Sequence, residues 1–138
     1  MTAGGHPDDG AAPGASGVTV VIPARDDAVL LDRCLRALAQ QTQAPVEVIV
    51  VDNASTDTTG EVARAHGATV VEEDRVGIWA AAAAGYDAAR SPVIARLDAD
   101  SVPPADWVQK VAAGLQRRPS AVAITGWGVF EDLPGPVG

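Results

Sequence analysis

The stretch VIARLDAD, residues 93–100, is an apolar run that ends in two carboxylates one residue apart. Two Asp residues on either side of a small residue at a strand end can direct both side chains into one crevice, where oxygen ligands suit Mg²⁺ or Mn²⁺. A helix cap is the second interpretation. Asp100 or Ser101 could accept hydrogen bonds from the first amides of a helix that begins near Pro103 and Pro104. This stretch alone leaves both interpretations open.

Similar apolar runs recur along the chain and predict further strands. We predict strands at residues 18–22, closed by Pro23, and at residues 46–51, 69–71, 93–97 and 121–125. Because these runs are apolar on both faces, they are typical of a parallel sheet that is covered by helices.

A helical pattern follows the first predicted strand. Its predicted N-cap is Asp26 or Asp27. Its apolar face is formed by Leu31, Cys34, Leu35 and Leu38. Cys34 is the only cysteine of the chain, so no internal disulfide can form. Its place on the apolar face predicts a small buried hydrophobe, as expected for a protein of the reducing cytoplasm.

Three more helices are predicted along the rest of the chain. Residues 58–61 have the spacing of a capping box that begins at Thr58, for a helix that runs to about His66 and ends at Gly67. We expect His66 to be an exposed residue of the last turn and not a ligand. The alanine-rich residues 78–89 predict a third helix. A fourth is indicated by the apolar positions Trp107, Val108, Val111, Ala112 and Leu115.

Strand and helix therefore alternate, which predicts a doubly wound α/β domain with right-handed crossovers. Ligands of such sheets bind outside the carboxyl ends of the strands. Acidic residues follow each of the first four predicted strands, within residues 23–27, 52–57, 72–75 and 98–100. The candidate chemistry thus lies at one edge of the predicted sheet.

Length and charge limit the domain organisation and the partners. The chain has 138 residues and a net charge of −8, which predicts one domain and argues against nucleic acid and anionic membrane surfaces as partners. We expect a disordered tail at residues 1–16, a folded domain at residues 17–130 and a flexible tail at residues 131–138. No signal peptide and no apolar run near the ~20 residues of a membrane span are visible, so we expect a cytoplasmic protein.

The sequence lacks the motifs of two common nucleotide sites. No glycine-rich turn follows the first predicted strand, and no phosphate-binding loop with its lysine occurs in the chain. A diphosphate could still bind if a metal held by Asp98 and Asp100 neutralised its charge. Asp52, at a neighbouring strand end, could accept hydrogen bonds from a base N–H or a sugar hydroxyl. A loop cap is the alternative role of Asp52.

Four segments of the chain, in order, resemble the nucleotide-sugar-dependent glycosyltransferases of family 2, which have the GT-A fold. The segments are residues 20–26, 47–57, 77–85, and 97–100 with Pro103, and the resemblance covers roughly residues 18–111. It implies a Rossmann-like nucleotide-binding half with a mostly parallel sheet flanked by helices. It also implies a UDP- or GDP-linked sugar donor, Mn²⁺ or Mg²⁺ as cofactor, and inverting transfer of the sugar to a hydroxyl of an unknown acceptor.

The resemblance assigns roles to individual residues. Pro23 and Ala24 correspond to the lining of the base pocket, and Asp52 to the residue that binds the nucleobase or the ribose. Asp98, the first acid of the DxD motif, looks like the contact to the ribose or to metal-bound water. Asp100 looks like the direct ligand of the metal that holds the donor diphosphate.

The chain departs from the family pattern in the third segment. The family often has Arg and Asn where this chain has Ala82 and Ala83. Arg75, close by in the sequence, is our candidate to support the phosphates in their place. A solvated surface charge is the alternative interpretation of Arg75.

Family members carry their catalytic base and their acceptor-binding elements in a second half beyond the DxD motif, whereas this sequence ends at Gly138. We therefore expect this chain to be the donor-binding half of an enzyme whose catalytic base is unknown. The chain would be either a truncated piece of that enzyme or a subunit that another chain completes. We also expect self-association through an uncovered sheet edge. A non-catalytic or degenerate GT-A-like binding or assembly module is the alternative.

Overall fold

The computed structural model describes residues 17–117, in which strands and helices alternate as predicted. The elements are β1 (Val18–Ala24), α1 (Ala28–Ala39), β2 (Glu47–Asp52), α2 (Thr59–Ala65), β3 (Thr69–Glu72), α3 (Ile78–Ala88), β4 (Val93–Arg96) and α4 (Trp107–Arg117). The predicted tails at residues 1–16 and 131–138 and the predicted strand at residues 121–125 lie outside the described residues. Within residues 17–117, each helix is too short or too polar to cross a membrane.

The four described strands form one parallel sheet in the order β3-β2-β1-β4. Ile22 of β1 pairs with Val50 of β2, and Val20 pairs with Ala95 of β4. The chain runs outward from β1 to β3 and then returns to the other side of β1, so the strand order reverses there. Doubly wound sheets bind their ligands at such a switch point, outside the carboxyl ends of the strands. The predicted parallel α/β fold is confirmed.

Helices cover both faces of the sheet. Side chains of successive strand residues point to opposite faces, so Ile22 packs on the face of α1, α2 and α4, while Val21 packs on the face of α3. All seven residues of β1 are buried. Cys34 of α1 is fully buried in the first core, and burial raises the pKa of its thiol to about 12. The prediction of Cys34 as a buried hydrophobe is confirmed.

Helix α3 contacts the sheet through residues with small side chains. Gly85 faces two valines, and a Cβ atom added to it would lie 2.3 Å from Val21 Cγ1 and 3.0 Å from Val51 Cγ2. Ala81, one turn earlier, is buried against the same face. The small residues of α3 therefore determine how closely this helix approaches the strands.

The predicted capping hydrogen bonds of α1 and α2 are wrong. Asp27 and Thr58 occupy the cap positions, but neither side chain makes a capping hydrogen bond. Asp57 serves both helices: its Oδ1 accepts from Thr59 N at 2.9 Å, and its Oδ2 accepts from Ala28 N at 3.3 Å. The hydrogen bond from the Thr59 hydroxyl is the main reason that the pKa of Asp57 is lowered. One carboxylate of the β2–α2 loop thus ties the first turns of two helices together.

Asp26, the other predicted cap of α1, also bonds elsewhere. Its φ is +53°, and its Oδ1 accepts from Thr56 N at 2.6 Å. At the other end of α2, Gly67 has φ +80° and follows the last turn, as predicted. His66 is exposed, as predicted. Its Nε2 lies 2.7 Å from Asp32 Oδ1 on α1, a contact that the sequence pattern did not indicate.

Candidate functional site

The carboxyl ends of β1 and β2 and the start of α3 enclose a cleft with a volume of about 270 Å³. Its lining consists of Pro23, Ala24, Arg25, Asp27, Asn53, Val76, Gly77, Ile78 and Ala81. Two of the residues singled out from the sequence, Pro23 and Ala24, thus line a cleft at the predicted edge of the sheet. Their contact with a base stays a prediction.

A larger cleft, of about 470 Å³, lies at the opposite edge, beside the amino ends of β2 and β3. Its lining includes Leu38, Val46, Glu47, His66 and Thr69. None of the six site residues predicted from the sequence belongs to this lining. Parallel α/β sheets bind ligands at the carboxyl edge, so the smaller cleft is the stronger candidate despite its volume.

Asp98 and Asp100 lie on a turn that directly follows β4. Exposure alternates along it: Leu97, Ala99 and Ser101 are buried, whereas Asp98 and Asp100 are exposed. The turn is closed by a hydrogen bond of 3.0 Å from Ser101 N to the carbonyl oxygen of Asp98. Both carboxylates therefore reach solvent at the carboxyl edge of the sheet.

The turn is anchored to the elements on either side of it. Leu97 N donates to the carbonyl oxygen of Val21 at 2.9 Å, which extends the pairing of β4 with β1. Cys34 Sγ lies 3.9 Å from the carbonyl oxygen of Asp98, so α1 packs beneath the turn. Arg33 Nη2 of the same helix lies 3.5 Å from the carbonyl oxygen of Asp100. The position of the acidic pair is thus fixed by the sheet and by α1.

The helix-cap interpretation of Asp100 and Ser101 is wrong. Helix α4 begins at Trp107 and not near Pro103 and Pro104, which places both candidate caps a full turn or more before its start. Trp107 N instead donates to the carbonyl oxygen of Pro104 at 3.0 Å.

The donor set of this turn fits a hard divalent cation. Within residues 17–117, no group of three or more His, Cys, Asp or Glu side chains is arranged to hold a metal. Mg²⁺ is commonly held by one or two carboxylates, with the remaining ligands supplied by substrate phosphates and water. Asp98 and Asp100 match that pattern, and Arg96 Nη2, 3.4 Å from Asp98 Oδ1, offsets part of their charge.

Asp52 faces α2 and does not belong to the described lining of the cleft. Its Oδ1 accepts a hydrogen bond of 3.1 Å from Ser55 N. A Cβ atom added to Gly60 would lie 2.8 Å from its Oδ2, so the first turn of α2 packs directly on the carboxylate. The loop-cap contact is therefore present, and the contact of Asp52 with a base or ribose stays a prediction.

Arg75 is engaged by its neighbour Glu73. Its Nη2 lies 2.9 Å from Glu73 Oε1, its Nε lies 3.3 Å from Oε2, and its backbone N donates to Oε2 at 2.9 Å. The Arg75 hydrogen bonds lower the pKa of Glu73 to about 2. The Arg75 side chain is 76% exposed, so the structure matches the surface-charge interpretation. Support of a phosphate by Arg75 stays a prediction.

We expect the Arg75→Gln variant to raise the pKa of Glu73 from about 2 toward its ordinary 4.5. Because the folded-state pKa is the lower one, the pair contributes stability above pH 4.5 that is lost as the pH falls toward 2. A carbon-detected NMR titration of the Glu73 carboxyl group measures the shift, with Arg90→Gln as a control of equal charge. An unchanged Glu73 midpoint in Arg75→Gln would contradict the ion pair.

The sequence profile of glycosyl transferase family 2 matches residues 19–136 of the chain. The chain belongs to this family. The resemblance inferred from the four sequence segments is thereby confirmed, and with it the classification of the chain among the glycosyltransferases.

Relatives and solved structures of similar fold agree with this membership. An uncharacterised glycosyltransferase of Mycobacterium tuberculosis (strain ATCC 25618 / H37Rv) is 41% identical over 100 residues, which are 72% of this chain and 44% of the relative. The mannosyltransferase PcManGT of Pyrobaculum calidifontis, in complex with GDP-Man and Mn²⁺, is 29% identical with a TM-score of 0.64, over 72% of this chain and 32% of that one.

A second solved structure of this fold contains UDP. The glucosyl-3-phosphoglycerate synthase of Mycobacterium tuberculosis, in complex with Mn²⁺, UDP and glucosyl-3-phosphoglycerate, is 25% identical with a TM-score of 0.63, over 71% of this chain and 39% of that one. The matched part is thus less than half of each of these three proteins.

Asn53, which lines the cleft, was not predicted from the sequence as a candidate site residue. Asn53, directly after β2, is 4% exposed and hydrogen-bonded to three backbone groups of residues 73–77. A lone asparagine in an acidic loop could have indicated such a residue, because an amide side chain can donate and accept hydrogen bonds at once.

Proposed function

We propose that this family 2 chain binds a nucleoside-diphosphate sugar, UDP- or GDP-linked, together with Mn²⁺ or Mg²⁺. In this proposal it forms the donor half of an inverting glycosyltransferase that transfers the sugar to an acceptor hydroxyl. The observation that carries the proposal is the exposed acidic pair Asp98 and Asp100. The pair follows β4, which pairs with β1, and lies at the same carboxyl edge of the sheet as the cleft lined by Pro23 and Ala24.

Charge supports the need for a cation. The chain carries a net charge of −8, so an anionic diphosphate approaches a surface of like charge. Asp98 and Asp100 would hold the cation between the protein and the diphosphate. When bound, the cation stabilises the charge that develops on the leaving nucleoside diphosphate. Arg25, on the cleft wall, adds a positive charge on the same side of the sheet.

The other two predicted donor contacts differ in whether they require local rearrangement. Arg75 must leave Glu73 before its guanidinium can approach a phosphate, because the two side chains form an ion pair. Asp52 retains its Ser55 contact through Oδ1. A base or ribose would approach its carboxylate from the loop side, away from Gly60.

Calorimetric titration of the chain with UDP and with GDP, each with and without Mn²⁺, tests the proposal. We expect binding of at least one nucleotide that requires the metal. If neither nucleotide binds in any condition, the donor-binding function is wrong.

A non-catalytic or degenerate GT-A-like module for binding or assembly is the second candidate. It is favoured by the Arg75–Glu73 pair, which neutralises the arginine predicted to support the phosphates. Transfer of the sugar from a UDP- or GDP-linked donor to an acceptor by this chain would exclude the module.

A further inference from the structure

Asn53 connects the end of β2 to the loop that precedes α3. Its Nδ2 donates to the carbonyl oxygens of Glu73 at 2.9 Å and of Arg75 at 2.7 Å. Its Oδ1 accepts from Gly77 N at 2.9 Å. One side-chain amide thus bonds three backbone groups within five residues of the loop.

The three hydrogen bonds hold a loop that ends in an unusual backbone conformation. Gly77 has φ +141°, a conformation that side-chain-bearing residues rarely adopt, and it is the N-cap residue of α3. Glycine has no side chain that could cap α3 from this position, and the Gly77 amide itself donates to Asn53 Oδ1. Because Asn53 is buried, its side-chain amide would be left without partners, at a cost in free energy, if the loop moved away.

Asn53 itself is held firmly by the sheet. Its backbone N donates to the carbonyl oxygen of Ala24 at 2.9 Å, and Glu73 N donates to the carbonyl oxygen of Asp52 at 3.0 Å. The first of these bonds extends the pairing of β1 with β2, and the second extends that of β2 with β3. The amide therefore transmits the position of the strands to the loop.

We propose that Asn53 is a positioning residue of the donor cleft. By fixing residues 73–77, it sets the cleft wall formed by Val76, Gly77 and Ile78 relative to Pro23 and Ala24. The inference rests on the proposed function, since it assigns this cleft to the nucleotide. Asn53 also lines the cleft, and the role proposed for it here is to hold the loop in position.

The Asn53→Asp variant tests this role with little change in shape. An ionised aspartate keeps an acceptor for Gly77 N and loses both donors to the carbonyl oxygens of Glu73 and Arg75. We expect the affinity for UDP with Mn²⁺ to fall about tenfold, which is the scale of one lost hydrogen bond. We also expect faster hydrogen exchange of the amides of residues 73–77.

Gln41→Glu is the matched control, because Gln41 is a second amide that bridges backbone groups. Its Nε2 donates to the carbonyl oxygen of Pro104 at 2.7 Å, and its Oε1 accepts from Val108 N at 3.0 Å. Gln41 is not part of the candidate donor cleft. We expect Gln41→Glu to lower the melting temperature while the affinity for UDP with Mn²⁺ stays within about twofold of wild type, well under the tenfold step of one hydrogen bond.

A measurement on the wild-type chain covers the case in which Asn53→Asp does not fold. Asn53 is the only asparagine of the chain, so selective ¹⁵N-asparagine labelling gives a single side-chain NH₂ signal. We expect slow exchange of these protons, as buried donors show, and a shift of the signal when UDP and Mg²⁺ bind.

Several outcomes separate this inference from the proposed function. If a folded Asn53→Asp variant binds UDP with the affinity of wild type, the positioning role is overturned and the proposed function stays intact. Absence of nucleotide binding in the wild type refutes the proposed function and, with it, the assignment of this cleft wall to a donor. Rapid exchange of the Asn53 NH₂ protons in the wild type also overturns the inference.

Discussion

Replacing Gly85 by alanine is expected to destabilise the chain by about 1–3 kcal/mol or more, the range measured for overpacked cores. The new Cβ would lie 2.3 Å from Val21 Cγ1, closer than two carbon atoms can approach without movement. Alanine favours helix over glycine by only about 1 kcal/mol, so the steric cost dominates. Chemical denaturation of wild type and variant measures the difference in the free energy of unfolding.

A double-mutant cycle with Val21→Ala shows whether the clash is the cause. Removing Cγ1 of Val21 opens the space that the alanine at position 85 requires. The double variant is therefore expected to lose less free energy of unfolding than the two single variants lose together, since residues in direct contact do not behave additively. Strict additivity would mean that α3 does not pack on β1 as described.

The second large effect is expected from Asp100→Ala, which should weaken metal-dependent nucleotide binding by at least about 100-fold. Loss of an outer-shell partner of a metal ligand already costs about 10- to 100-fold in affinity, and Asp100 is the proposed direct ligand. Ala99 and Ser101 on either side are buried, so the turn can keep its backbone without this carboxylate. Calorimetry with Mn²⁺ and the nucleotide measures the loss.

Asp87→Ala supplies the control for charge. Asp87 is an exposed acid on α3, and its removal changes the net charge by the same amount. We expect its nucleotide affinity to match that of wild type. Asp98→Ala should fall between the two variants, because Asp98 is predicted to contact the ribose or metal-bound water while Asp100 is the direct ligand. If Asp87→Ala and Asp100→Ala weaken nucleotide binding equally, the loss reflects the net charge of the chain and Asp100 is not part of a metal site.

The strands were predictable because their residues are apolar on both faces. Residues 18–22 lie in β1, which is fully buried, and residues 47–51 lie in β2, its neighbour at the centre of the sheet. Pro23 does not close β1 as predicted, because the pairing with β2 continues through Pro23 to Ala24. The edge strands β3 and β4 also fell within a residue of their predicted bounds, although β3 has no buried residue and β4 only Ala95. Burial of a whole strand is a property of consecutive residues, so the local sequence contains it.

The caps were not predictable from local sequence for a physical reason. Asp57 bonds Ala28 across 29 positions of the chain, a contact that depends on the β1–α1 and β2–α2 loops lying side by side. The start of α4 was placed too early because Pro103 and Pro104 resemble the first residues of a helix. In the structure they belong to the segment that leads into α4.

In the candidate site, too, features set by the local sequence were predictable and contacts between distant residues were not. Asp98 and Asp100 were placed correctly at the sheet edge because their spacing follows directly from the strand before them. The side-chain partners of Asp52 and Arg75 were not predictable, since they depend on how α2 and the β3–α3 loop pack. Asn53 was missed because its three partners lie 20 and more residues away.

The central claim is that a nucleoside diphosphate and a divalent cation bind at the carboxyl edge of the sheet. Amide NMR spectra of the chain titrated with UDP and with GDP in the presence of Mg²⁺ test this location directly. The account predicts shift changes in the loops after β1, β2, β3 and β4, centred on residues 24–27, 73–78 and 98–101. Changes centred instead on the cleft at the amino ends of β2 and β3, at residues 44–48 and 66–69, or no changes at all, would contradict it.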